Sequence, residues 1–415
     1  MNRIPAVLSV RALGAGLSLL VVIAFAGWSD PATSVQLIFG LSTVQLLGSL
    51  CRLGLEVQMV RELGEIASDS SPRPTAQTIG VPLLATLVVG LALGGAVVVL
   101  SGVFGWFDSQ SAAVAFGLAI PFFGVTMLMS DVLNGLLRPL AGALRQSLVF
   151  PMALIIWLGV VFVIDWNVRT VSLAVLAAAV SSAAVASVGV IPLLTGWSLD
   201  DVAEIRARVS NGMRFWMFDL NRAILFWGLF AVTLPALTLA EAEALAVATR
   251  LALTGNLLLV SIRNSIMPGL RVEDLEGKSD FFASTKRVIA VTALAVASLS
   301  AVGVLTGLGL EQFLPGLGAP VVLAAILSFG FVGRSATVMA QSYWGLTGSA
   351  MTSLKDSVLA LVSLIIGGVV VVIVPSQTVY VAAFVGALMV AGGQSLALLT
   401  ESPRIPSVRG IAASR

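Results

Sequence analysis

The chain has 415 residues, of which 58% are hydrophobic and 11% charged, with a mean hydropathy of +1.03. That balance excludes a soluble globular domain and describes a polytopic membrane protein. A net charge of +2 without any basic patch interleaved with aromatics excludes a nucleic-acid partner. The single Cys51 and the absence of histidine leave no disulfide framework and no metal cluster, so neither metal nor cofactor is expected.

A membrane-crossing helix needs about 20 apolar residues. Windows of that length predict twelve spans near residues 12–28, 34–56, 79–103, 112–134, 147–164, 170–195, 212–236, 242–268, 287–308, 319–345, 355–374 and 378–399. Of the 23 Lys and Arg residues, 17 fall at the termini, in even-numbered loops or at the span ends that border those loops, and only Arg169 falls in an odd-numbered one. Basic residues in short loops stay on the cytoplasmic side, so both termini are expected there. The remaining five, Arg52, Arg222, Arg250, Arg263 and Arg334, lie within the spans. Trp28, Trp106 and Trp166 fall at outer boundaries and Trp197, Trp216 and Trp344 near inner ones, as an interfacial belt predicts.

In chain order, the first span resembles a cleavable signal sequence at Ala24-Phe25-Ala26, but cleavage would place the N-terminus outside, against the charge rule; the span is expected to be kept. Span two carries Gln45, Ser49, Arg52 and Glu56 at i, i+4, i+7 and i+11, one polar stripe on an apolar helix. Gly90 and Gly94 in span three read as a helix-packing motif. Span four presents Thr126, Ser130 and Asn134, with Asp131 read as a solvated residue at its inner end. Pro82, Pro121, Pro151, Pro192 and Pro235 interrupt spans and are expected to kink them. Asp200 and Asp201 read as a helix cap rather than a metal site.

Span seven contains Asp219 three residues before Arg222, on one helix face, so the two are placed to neutralise each other. Span eight repeats the polar stripe with Arg250, Thr254, Ser261 and Ser265, and span ten with Arg334, Thr337, Gln341 and Ser342. A cation near the bilayer centre costs about 2.5–3.5 kcal/mol on insertion scales, so such residues turn toward a wet cavity or a counter-charge. Arg52 and Arg263 lie close enough to the inner ends to reach the interface, whereas Arg222, Arg250 and Arg334 lie deeper. Laying the chain on itself with an offset of 210 residues brings ALRQSLVFPMALII (from Ala143) onto SLKDSVLALVSLII (from Ser353), which predicts two equivalent six-helix halves, residues 1–200 and 201–415. No P-loop or nucleophile elbow occurs, so hydrolysis within the chain is not expected.

These features carry a resemblance. The segment RLGLEVQMVRE after Arg52 and the segment ATRLALTGNLLLVSIRNSIMPGL of span eight resemble the polysaccharide flippases of the multidrug/oligosaccharidyl-lipid/polysaccharide exporter superfamily. The loop residues Phe313-Leu314-Pro315-Gly316 and Gly345-Leu346-Thr347-Gly348 are similar to that family's loops. One departure is Asn221-Arg222, where many members have Asp-Arg; here the acid is displaced to Asp219. The resemblance implies an all-α polytopic fold of two six-helix lobes that moves a lipid-linked, undecaprenyl-pyrophosphate type oligosaccharide across a bacterial cytoplasmic membrane by alternating access, in a pathway with glycosyltransferases and a polysaccharide polymerase. The phosphate head suits arginine, which binds it bidentately. Arg222, Arg250, Arg334, Arg52 and Arg263 are the candidate substrate contacts and Asp219 the candidate ion-coupling group. A drug or metabolite antiporter of the same superfamily is the alternative, and would rely more on buried carboxylates. A polymerase or ligase fits less well, because every outward loop is short. Proton, sodium and membrane potential all remain open as energy sources.

Overall fold

The computed structural model describes residues 4–68, 76–194, 227–266, 285–298, 318–347, 350–374 and 376–401, with isolated positions between 206 and 220 and between 301 and 305. All regular structure among them is helical, and eight of the helical segments are long and apolar enough to cross a membrane. The chain forms two compact units, Met1–Arg250 and Leu251–Arg415. The expected lobe boundary at residues 200 and 201 lies outside the described residues, as does most of span seven.

In the first unit, α1 (Ile4–Trp28) is followed by α2 (Pro31–Leu50), whose entry is set by Asp30. The Asp30 carboxylate accepts hydrogen bonds from the amides of Ala32 and Thr33, both at 3.1 Å, and Pro31 occupies the first helical position. Those donors have no partner within the helix, so the cap satisfies them. Span two does not continue to residue 56 as the hydropathy window suggested. It stops at Leu50 and turns through Leu53 and Gly54, at φ 55° and 71°, before α3 (Leu55–Ser68). The left-handed turn is inexpensive at Gly54 and strained at Leu53. It makes α3 a separate amphipathic helix, with Leu55, Met59 and Leu63 buried at i, i+4 and i+8.

Helix α4 (Ala76–Phe104) and α5 (Gln110–Gly135) then pack along their length, followed by the short α6 (Pro139–Leu144), a π-helical turn at Arg145–Val149, α7 (Phe150–Ile164) and α8 (Val168–Ser187). Together α6, the π-turn and α7 make span five one segment from Pro139 to Ile164. The unit is built around α5, which packs on α2, α3, α4 and α8 and is mostly buried, whereas α1, α4 and α7 expose long apolar faces. The GxxxG reading of span three holds as packing: a Cβ on Gly117 would lie 2.8 Å from the Gly94 carbonyl oxygen, and one on Gly90 would lie 2.7 Å from Pro121 Cα. At the other end of α5, Met59, Leu63, Ile79, Leu128, Met129, Val132, Ala183 and Ala186 form a core that roofs the buried face of α3.

Helix α9 (Leu239–Ile266) ends the first unit in sequence at Arg250. The second unit contains α10 (285–298), α11 (Gly318–Ser328), α12 (Gly330–Thr347), α13 (Ala350–Ile373) and α14 (Gln377–Glu401). Span ten is thus two helices broken at Phe329, not one. Helix α14 packs on both α12 and α13, as α8 packs on both α5 and α7 in the first unit. The 210-residue offset relates these same helices, so the packing follows the repeat seen in the sequence. Backbone approach is again made by glycine, where a Cβ on Gly392 would run into the Gly333 carbonyl.

The tryptophan belt is only partly interfacial. Trp28 is exposed and meets Phe162 and Trp166 at centroid distances of 4.9 and 5.5 Å, as a rim residue should. Trp106 and Trp344 are buried instead, and Trp197 lies outside the described residues. Cys51 is also sealed: it has no exposed surface, and its thiol donates to the Gly48 carbonyl at 3.0 Å against the face of Gly124.

Candidate functional site

The polar stripes of the spans divide into two kinds once their hydrogen bonds are followed. On α5, Thr126 and Ser130 are fully buried and donate to the carbonyls of Phe122 and Thr126 at 3.1 and 2.9 Å. On α2, Ser42, Thr43 and Ser49 likewise donate to carbonyls of their own helix at 2.8–2.9 Å. A hydroxyl absorbed by its own backbone has little need of water, so the α5 stripe is packing and not a cavity wall. The charged residues behave differently.

At the turn after α2, the Arg52 guanidinium is buried and reaches the Asp131 carboxylate at the end of α5, while its Nε donates to the Ser49 carbonyl at 3.1 Å. Glu56 lies 3.9 Å from the same guanidinium, and Asn134 approaches Asp131 at 3.5 Å. Asp131 is therefore an ion-pair partner, not the solvated end residue the sequence suggested. The pair joins two helix ends 79 residues apart, both inner ends in the twelve-span map. Gln36 and Asp108 join the opposite ends, with the Asp108 amide donating to Gln36 Oε1 at 3.1 Å. Both contacts obey the up-down alternation of the spans.

In the C-terminal half of α2, Gln45 Oε1 accepts a hydrogen bond from Nη1 of Arg250 on α9 at 2.7 Å. Arg250 is half-buried among apolar helices. Two tryptophans meet the same helix: Trp227 Nε1 donates to Thr43 Oγ1 at 2.7 Å and Trp216 Nε1 to the Leu50 carbonyl at 2.8 Å. Phe39 stacks on Trp227 at 6.1 Å and also touches Trp106 and Phe230, while Trp106 Nε1 donates to the Ala231 carbonyl at 3.1 Å. Trp227 and Phe230 are therefore fastened to α2 by the aromatic group near its middle, and Arg250 and Trp216 toward its C-terminal end.

In the second unit, Arg334 is half-buried on α12, next to the buried Ser335 and one turn from the buried Thr337. The sequence did not single out Asp356, which stands at the start of α13 with only 1% of its surface exposed. Ser395 of α14 donates to its Oδ1 at 2.7 Å, and Thr337 Oγ1 lies 3.3 Å from the same Ser395 hydroxyl. The aligned repeat held the clue, because Asp356 falls there opposite Gln146; a charge in place of an amide on a span end marks a change of task. Of the expected site residues, Arg222 and Asp219 lie outside the described residues. Arg263 lies on α9, and its side chain is likewise outside them. Among the described residues no group of His, Cys, Asp or Glu has the arrangement of a metal site.

Solved structures share this fold across nearly the whole chain. An inward-facing multidrug resistance MATE family transporter of the MOP superfamily superposes with a TM-score of 0.69 at 13% identity, covering 96% of this chain and 100% of that one. The MATE multidrug transporter DinF-BH, solved as a complex, gives 0.65 at 16% identity over 97% and 94%. A MOP superfamily transporter from Pyrococcus furiosus, described as having a binding pocket of reverse polarity that suggests a different function, gives 0.61 at 14% identity over 96% and 93%. No protein-family model and no curated protein matches the sequence. The all-α, two-lobed polytopic fold of the MATE transporters is thus the fold of this chain.

Proposed function

We propose that the chain is an alternating-access exporter of an anionic, lipid-linked oligosaccharide in a bacterial cytoplasmic membrane, acting beside the glycosyltransferases and polymerase of a surface-polysaccharide pathway. The observation that carries this reading is Arg250, a guanidinium lodged half-buried in mid-helix and contacted by the neutral amide of Gln45. Guanidinium has five N–H donors in a planar fork, and a phosphate or acidic sugar can take up those turned toward the transport path. Arg334, in the second unit, is the second proposed contact, with Arg222 and Arg263 completing the set. Arg52 is proposed to brace the helix ends, since Asp131 and the Ser49 carbonyl already hold it. The lipid tail stays in the bilayer while the head group crosses.

The test is export of surface polysaccharide by cells carrying Arg250→Ala or Arg334→Ala. Each is expected to abolish export while membrane abundance stays near normal, because the charges serve cargo and not packing. Export falling only in proportion to abundance would refute the reading. A second reading, drug or metabolite antiport, is favoured by the solved neighbours, several of which are multidrug transporters. Restored drug resistance in an efflux-deficient strain, with no effect on glycan export, would establish that reading in place of the first.

A further inference from the structure

We propose that Asp356, held by Ser395 whose hydroxyl also meets Thr337, between α12, α13 and α14, is a proton-binding site: its Oδ2 takes up a proton from water and returns it to water. The Oδ1 atom accepts from Ser395, but the buried Oδ2 has no hydrogen-bond partner among the described residues. A carboxylate oxygen taken out of water with no donor is costly, and that cost disappears when the oxygen becomes a hydroxyl. In the step, water-borne H+ and –COO⁻ give –COOH, with the new O–H bond on Oδ2 and no other bond changed. Ser395 can then donate to Oδ1 in both states, so the frame persists while the charge comes and goes.

The surroundings select a proton over a metal cation. Calcium and magnesium take six or more oxygens, and the described side chains here offer the carboxylate and two hydroxyls. Arg334, on the neighbouring α12, acts on the carboxylate through its positive charge, which opposes a second resident cation. The other ionisable residues on the elements packed around the site are Tyr343 on α12 and Tyr380 and Glu401 on α14. Lys355, next to Asp356 on α13, is exposed. A carboxyl with one oxygen held by Ser395 and the other without a donor among the described residues changes state when a neighbouring donor or charge moves. Such a group lets a carrier exchange a proton for its cargo. That exchange rests on the transport reading above; the binding of the proton does not.

Infrared difference spectroscopy of the full-length protein in lipid membranes, titrated with acid, reads the protonated-carboxyl C=O stretch directly. Beside the bands of the other carboxyls, one component is expected that the wild-type-minus-Asp356→Asn difference isolates, that Asp356→Glu keeps and that Ser395→Ala displaces. Asn preserves the shape of the side chain, and the Glu variant shows that any loss is chemical and not structural. A band unchanged in Asp356→Asn overturns the proposal, as does a titration that moves with sodium concentration. In vesicles, acid-driven glycolipid movement should vanish in Asp356→Asn. Loss of the band in a protein that moves no glycolipid would instead defeat the cargo assignment and leave the proton site standing.

Discussion

Asp131 and Asp356 are both largely removed from water near the end of a span, one in each unit, yet they keep opposite company. Asp131 meets a full opposite charge in Arg52 and an amide in Asn134, whereas Asp356 accepts a hydrogen bond from Ser395 and feels the positive charge of Arg334 on the neighbouring helix. A buried ion pair strongly resists losing either member, because the survivor is left charged and desolvated. A buried acid framed by neutral donors tolerates neutralisation. The first arrangement suits a brace and the second a switch, so burial alone does not assign a carboxylate its role.

Removing one partner of the brace should give the largest effect. Arg52→Ala or Asp131→Ala is expected to destabilise the first unit by about 3–5 kcal/mol, read as a lower Tm in detergent. Arg52→Met combined with Asp131→Leu should recover most of that loss, and a double variant as weak as the worse single one would break the comparison. Next comes Gly117→Leu, which forces a side chain into the Gly94 backbone; about 1–3 kcal/mol is expected from overpacking, by the same measurement. Asp30→Ala should cost about 1 kcal/mol through the lost cap. The bonds from Thr33 and Ala32 lower the Asp30 pKa, so this stabilisation is complete above the ordinary carboxyl range and fades as pH falls through the depressed native value. The Tm difference between wild type and Asp30→Ala should therefore shrink in acid. The smallest effect belongs to Asp356→Asn, expected to cost less than loss of the Asp30 cap because Asn keeps the shape of the side chain and the bond from Ser395, although Asp356 is buried more deeply than Asp131. A loss as large as that of Asp131→Ala would make Asp356 a second brace.

Much of the fold was readable because hydropathy and charge report directly on the bilayer. The windows near 79–103, 112–134 and 378–399 fall inside α4, α5 and α14. Breaks within a span were not legible: the turn at Leu53 and Gly54 depends on backbone dihedrals, and the interruption at Phe329 leaves the apolar run intact. The candidate site was legible in residue type more than in pairing. Arg250 and Arg334 stood out because a cation is rare in an apolar helix. The company of Arg52 did not, since Asp131 is brought to it by the packing of α2 on α5. Asp356 was missed because a carboxylate at a span boundary looks the same in sequence whether it faces water or a neighbouring helix.

The sealed position of Cys51 makes the native chain its own labelling background. It is the only thiol, and it is closed off against Gly124 beneath the end of α2, so no wild-type cysteine needs replacement before a reporter is attached elsewhere. Thiols introduced at Ser29, Ser109 or Ser376 should react with an impermeant maleimide from outside the cell, and thiols at Ser70 or Ser279 only after the membrane is opened. Spin labels at pairs of those positions would then report distances across the bilayer in a protein otherwise unaltered.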